Sequence, residues 1–183
     1  MKITKNFFEQ PTLWVAENLL SKILVRKWRG KEIKTVITET EAYCGFDDKA
    51  SHASRGITER NKIMFGPAGR AYIYLIYGTH YCLNIVTEKE NYPAAVLIRG
   101  ADLPGADTSK LVKLNGPGKL TKALLIDKSL NGEDIAVSQK LWIEDVGGAT
   151  ADRFKIKKGP RVNIDYAGQW AKKPWRFWIE YNV

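Results

Sequence analysis

The chain is short of the residues that staple a fold or hold a metal. It has 2 cysteines, Cys44 and Cys82, and 2 histidines, His52 and His80, among 183 residues. Two isolated thiols form neither a disulfide framework nor a CxxC pair, which points to a reduced, cytoplasmic protein. With no metal-ligand spacing among these four residues, no metal site is expected. No apolar run approaches the ~20 residues that span a bilayer. The N-terminal "MKITKNFFEQPTLW" lacks an uninterrupted apolar core and a small-residue cleavage site, so no secretory signal is expected. Repeats, low-complexity tracts and linkers are also missing. Acidic residues are the scarce charge: 20 Asp+Glu stand against 29 Lys+Arg, a net +9. Such an excess suits an anionic partner, either nucleic acid or an anionic membrane surface, and it also serves plain solubility. What remains is ordinary globular composition, 44% hydrophobic and 27% charged. A chain of this length fits one domain, residues 1–183, and buries a core without staples.

Pro11 opens a stretch in which Leu13, Val15, Ala16, Leu19, Leu20, Ile23 and Leu24 recur at helical spacing, predicting a short helix with proline in its first turn. "KILVRKW" and "EIKTVITETEAY" read as two strands joined at Arg29-Gly30-Lys31, a hairpin. The polar stretch "CGFDDKASHASRGITERNK" has no period, and a loop that long is functional or disordered. "RAYIYLIYGTHYCLNIVT" gives two strands around Gly78-Thr79, with Tyr77 beside the turn. "PAAVLIRGADL" is a strand whose apolar run ends in Arg99. "NGPGKLTKALLID" leads into a helix from about Lys119, whose first N–H groups suit a phosphate or a plain cap. Further strands fall at "KLWIED", "RVNIDY" and "WRFWIEY". The class is α+β, rich in a mostly antiparallel sheet, because hairpin spacing outnumbers crossover spacing.

Within "TVITETEAYCG", Glu39, Glu41 and Tyr43 share one strand face, since side chains alternate with period two. The plainer reading is a solvated face paired with neighbouring cations. The functional one is a general base, partly buried beside aromatics at a strand end, with a nearby arginine. Tyr72 and Tyr74 share a face and Tyr77 lies on the other; they pack a core, or they stack on bases with a wedge at the hairpin tip. Asn84, inside the apolar "CLNIV", needs a partner if buried, and the backbone can supply one. Arg99 wants a carboxylate or phosphate, and Glu41 is one candidate. "RFKIKKGPR" and "WAKKPWRFW" interleave cations with aromatics, as a guarded strand edge or a track for phosphates does.

"ETEAY", "SHASRG", "ERNKIMFGPAGRAYIYLIYGTHYCLN", "AAVLIRG", "NGPGKL" and "AGQWAKKPWRFW" together resemble successive blocks of the 3-methyladenine (alkyladenine) DNA glycosylase family, in order from about Pro11 to Tyr181. The resemblance implies a single compact domain with a curved antiparallel sheet, flanking helices and a hairpin projecting toward DNA. It implies excision of alkylated or deaminated purines from duplex DNA by a monomer without cofactor, metal or strand-cleaving lyase step. By matched position Glu41 is the general base and Arg99 helps hold the attacking water. Tyr43, His52 and Tyr74 sandwich and hydrogen-bond the flipped base. Asn84 lies on the pocket floor and disfavours guanine's amine. Tyr77 intercalates, and Met64 borders the lesion beside it. Glu39 takes a supporting role. His80 departs from the aromatic of vertebrate members, whose N-terminal extension is missing too, so the chain looks bacterial in type. A non-catalytic binder of damaged or distorted DNA is the alternative.

Overall fold

A computed structural model gives the fold, describing residues 1–104, 111–145, 147 and 154–182. Its elements run α1 (Lys5–Phe8), α2 (Thr12–Asn18), β1 (Ile23–Trp28), β2 (Lys31–Cys44), β3 (Ala71–Ile76), β4 (His80–Val86), β5 (Ala94–Pro104), β6 (Leu111–Asn115), α3 (Pro117–Ala123), β7 (Leu141–Glu144), β8 (Phe154–Gly159) and β9 (Arg176–Tyr181). Turn chemistry decides the two hairpins. Between β1 and β2, Arg29 and Gly30 take φ of 48° and 79°; between β3 and β4, Tyr77 and Gly78 take 52° and 69°. Two consecutive left-handed residues match the right-handed twist of the flanking strands.

The strands form one curled sheet, ordered β3-β4-β5-β2-β1-β7, with β6 on β5, β9 on β2 and β8 on β9. Every pairing among the described strands is antiparallel. The fold class expected from the sequence is the one observed. Long β2 carries three neighbours: β1 along its first part, β5 and β9 further on.

Period-two alternation then sorts the side chains. Ile37 and Ala42 of β2, Leu83 and Ile85 of β4, and Val96 and Ile98 of β5 point to the face covered by α2 and α3. The core sits there, and burying each such leucine or isoleucine contributes about 1.5–3 kcal/mol. The Thr40 hydroxyl ties α2 down by donating to Ala16 O at 2.7 Å. The opposite face carries Glu41, Tyr43, Tyr72, Tyr74 and Asn84, and is covered by irregular chain. There the long polar loop folds into two short 3-10 turns, His52–Arg55 and Lys62–Phe65. Asn61 stitches it, donating from Nδ2 to His52 O and Gly56 O, both at 2.9 Å.

Three sequence expectations need correction. The helix after Pro11 stops at Asn18; Ser21, at φ 67°, breaks it, and Ile23 and Leu24 begin β1. "RVNIDY" is not a strand: Asn163 turns the chain at φ 59°, and a 3-10 segment, Asp165–Lys172, follows. The helix at "NGPGKL" starts at Pro117, two residues earlier than expected.

Candidate active site

Strand register brings the candidate residues into one line. Glu41 pairs with Leu97, Leu97 with Asn84, and Asn84 with Tyr72, so a single row crosses β2, β5, β4 and β3. On its other side Glu41 pairs with Arg176 of β9. Near the row, Thr38 and then Arg99 drop out of the β2–β5 pairing, which is a bulge. Bulges re-aim side chains, and here the Arg99 side chain meets the acids of β2.

Glu41 is 1% exposed, yet both its oxygens are engaged. The Tyr43 hydroxyl donates to Oε2 at 2.8 Å. The Val162 N–H donates to Oε1 at 2.8 Å. Arg99 Nε lies 3.6 Å from Oε1, and nearer, at 2.8 Å, to Glu39 Oε1. Burial pushes the Glu41 carboxyl above the ordinary glutamate value of 4.5, while the Val162 N–H, Arg99 and Tyr43 pull it back. The carboxylate is thus incompletely solvated, and each of these three neighbours favours its ionised form. Glu39 also faces Arg176 Nε at 3.7 Å. So Glu39 is the principal partner of Arg99, and Glu41 shares that arginine at longer range. The sequence had named Glu41 as a candidate partner of Arg99 without weighing Glu39 for it.

Beside the row lies a cavity of about 140 Å³, walled by Tyr43, His52, Tyr72 and Tyr74, with Asn84 among its lining residues. A cavity of about 150 Å³ admits one benzene ring, so this one is about the size of a single flat aromatic ring. Tyr43 lines the cavity, and the carboxylate of Glu41 stands behind it. The Tyr72 and Tyr74 rings lie 5.2 Å apart, and His52 lies 4.6 Å from Tyr74. Asn84 is 3% exposed and donates from Nδ2 to Tyr72 O at 3.1 Å, the backbone partner its apolar setting requires.

The His52 ring stands at the cavity mouth, open on one side, with Nδ1 2.8 Å from the Tyr72 hydroxyl. Burial of the ring, and after it the Arg60 cation, pushes the imidazole down to about 4. It is therefore neutral at physiological pH. Burial pushes the Tyr72 phenol up to about 12, and lifts Tyr43 and Tyr74 as well. All three phenols and His52 are neutral, so among these lining residues the charge comes from Arg60.

Tyr77 is 80% exposed at the tip of the β3–β4 hairpin, outside the cavity. Met64 is 2% exposed, packed with Ala53, Tyr72, Val86 and Ala95, and lines the cavity. Among the described residues no group of His, Cys, Asp and Glu could hold a metal ion.

Several site groups escape sequence reasoning. Arg60 stands over the Tyr74 ring at 5.0 Å. Tyr166, 71% exposed, stands at the cavity rim. Asp48 and Arg161 form a fully buried pair behind Tyr43. Their sequence separations hide them, and a main-chain donor such as Val162 N–H leaves no residue-type signal at all.

Comparison with known proteins converges on one family. The family model described as methylpurine-DNA glycosylase matches residues 6–183. A relative in Methanocella arvoryzae is 47% identical, covering 96% of this chain and 91% of the relative. One in Anaeromyxobacter sp. (strain Fw109-5) is 48% identical, covering 100% and 91%. One in Legionella pneumophila (strain Corby) is 44% identical, covering 99% and 96%. All three are named, provisionally, 3-methyladenine DNA glycosylases. With a family match over nearly its whole length and relatives this similar, the chain belongs to the methylpurine-DNA glycosylase family, a family of DNA glycosylase enzymes.

Proposed function

We propose that this protein flips damaged purines out of duplex DNA into the tyrosine-lined cavity and hydrolyses the N-glycosidic bond with a water activated by Glu41. One observation carries the reading: a buried carboxylate held by Tyr43 and Val162 directly behind the wall of a cavity sized for a flat ring. Positive charge on the protein draws in the phosphates without reading sequence.

The walls suit the substrate class. An N3- or N7-alkylated purine is cationic, and neutral electron-rich rings attract a cation. A neutral His52 adds no repulsion. Such a base is already a good leaving group, so no strong general acid is needed. Glu41 takes a proton from water as the water oxygen bonds to C1′. The C1′–N9 bond breaks, and its electron pair neutralises the departing base. The proton then passes from Glu41 to solvent, leaving an abasic sugar. Arg99, held by Glu39, helps fix the water. One carboxylate suffices here, whereas ordinary glycosidases need two. Hypoxanthine, another flat purine, belongs to the same reading; being neutral, it takes up a proton from solvent as the C1′–N9 bond breaks. Asn84 on the floor opposes guanine's amine. Tyr77 fills the gap left in the stack, sharing the few kcal/mol that flipping costs. The protein works as a monomer without a lyase step.

The test is release of 3-methyladenine and hypoxanthine from lesion-bearing duplexes, followed by a separate assay for strand nicking. The reading requires free base and an intact abasic strand. Salt-sensitive binding without release supports instead the non-catalytic DNA binder.

A further inference from the structure

The most deeply buried ion pair among the described residues lies outside the residues assigned so far. Asp48 and Arg161 have side chains that are 0% exposed. Arg161 Nη1 and Nη2 donate to Asp48 Oδ2 and Oδ1 at 2.6 and 2.8 Å, a two-pronged clasp. Asp48 also accepts from Cys44 N and Ala50 N, both at 3.1 Å. Arg161 Nη1 donates further to Ala42 O at 2.8 Å. Its guanidinium lies 4.7 Å from the Tyr43 ring centre and 5.0 Å from that of Trp175. The pair thus clasps the end of β2, the loop that follows it and the segment before the last 3-10 turn.

Those attachments surround the two protein donors that hold Glu41. Tyr43 sits on β2 between the two backbone groups that the pair engages, Ala42 O and Cys44 N, with the guanidinium against its ring. Val162 is the residue after Arg161, and Asn163 then turns the chain at φ 59°. A buried ion pair contributes little stability over a well-packed apolar substitute, and fixing one arrangement is its better-attested use. We propose that the Asp48–Arg161 pair is the positioning clamp of this centre, aiming the Tyr43 hydroxyl and the Val162 N–H at the two oxygens of Glu41. The inference rests on Glu41 being the base. Neither Asp48 nor Arg161 touches the reacting atoms; each acts through Tyr43 and Val162.

The groups facing Glu41 define the readout. They are Tyr43 and Glu39 on β2, Arg99 on β5, Arg176 on β9, Cys82 on β4 and Arg161 on the covering segment. Both clamped donors favour the ionised carboxylate, so loosening them raises its titration midpoint. Arg161→Lys keeps the charge and loses the clasp, isolating geometry. Asp48→Asn removes a nearby negative charge, which by field alone lowers the Glu41 midpoint; a rise in that variant comes from geometry.

The experiment follows the Glu41 side-chain carboxyl by ¹³C NMR against pH in the free protein, for wild type, Arg161→Lys and Asp48→Asn. Leu83→Ala serves as a control for simple loss of stability on the other face of the sheet. Both clamp variants should titrate at higher pH than wild type, and the control should not. Single-turnover base release should fall at least tenfold on the acid side and recover toward wild type as pH rises. A midpoint unmoved in folded clamp variants, or an equal loss of rate at every pH, overturns the proposal. If neither variant folds, wild type decides: the Val162 amide shift must titrate with Glu41 and resist hydrogen exchange, and an amide that does neither overturns it. Because the titration needs no base release, it separates the two readings. Full activity in Glu41→Gln refutes the base assignment; an inactive Glu41→Gln with an unmoved midpoint refutes only the clamp.

Discussion

Glu41 and Asn84 lie in register across the sheet, each paired to Leu97 from opposite sides of β5. The carboxylate and the cavity floor are therefore set by the same backbone hydrogen bonds, one strand spacing apart on either side. A rigid sheet rather than a loop fixes the distance between the Glu41 carboxylate and Asn84 in the cavity lining. Side chains on such elements hold geometry better than loops do.

The floor position makes a specificity prediction. Asn84→Ala removes the donor to Tyr72 O and opens space under the base. Stability should fall by about 1–3 kcal/mol, the usual cost of a buried group left unsatisfied. Release of guanine should rise at least tenfold relative to hypoxanthine in a competition assay. An unchanged ratio removes Asn84 from substrate selection.

The Tyr43 hydroxyl makes a prediction about pH. It helps to keep Glu41 ionised, so its removal raises a carboxyl already above 4.5. The acid limb of the rate profile should lie above 4.5 in wild type and move to higher pH in Tyr43→Phe. The sign follows because the base must be ionised and activity is lost as pH falls through its folded value. A limb that stays put shows that the Tyr43 hydrogen bond does not tune the base.

Most of this frame was readable in the sequence. The two hairpins announce themselves because Arg29-Gly30-Lys31 and Gly78-Thr79 punctuate runs of alternating or β-branched residues, although Tyr77 stands in the second turn rather than beside it. Period two puts Glu41 with Tyr43, and Tyr72 with Tyr74, on shared faces, while the choice of these residues and of Asn84 for the site rests on the family resemblance. The failures have physical causes. "RVNIDY" alternates like a strand, yet one left-handed residue, Asn163, turns it into the segment that covers the site. The helix after Pro11 keeps its apolar spacing past Ser21, where tertiary pairing with β2 takes over. Asp48 and Arg161 lie 113 positions apart, and no local pattern connects them.

Tyr77 makes a prediction in which stability and function part. A non-glycine residue at φ 52° carries a conformational cost of about 1–2 kcal/mol, and its ring is 80% exposed. Tyr77→Gly should leave stability unchanged or raise it by up to about 1 kcal/mol. The same change should weaken binding to lesion-bearing duplex more than it slows release at saturation. Loss of the saturated single-turnover rate with affinity intact contradicts the wedge.

His52 links the cavity to acid stability. Its value drops from 6.5 to about 4 on folding. Between those values the unfolded chain binds more protons than the folded one, so stability declines as pH falls through that window. His52→Gln should flatten the decline in urea unfolding measured from pH 6.5 to 4. An identical slope in wild type and variant contradicts a neutral His52 in the folded state.

Glu41→Gln tests the central claim most directly. Glutamine preserves size and can still accept a hydrogen bond, but it cannot take a proton from water. The measurement is single-turnover release of 3-methyladenine from a duplex saturated with enzyme, at neutral pH, for wild type and variant. The account predicts a fall of about 10²–10⁴-fold, the range of general base catalysis, with lesion binding retained. A variant that releases the base within tenfold of wild type contradicts it.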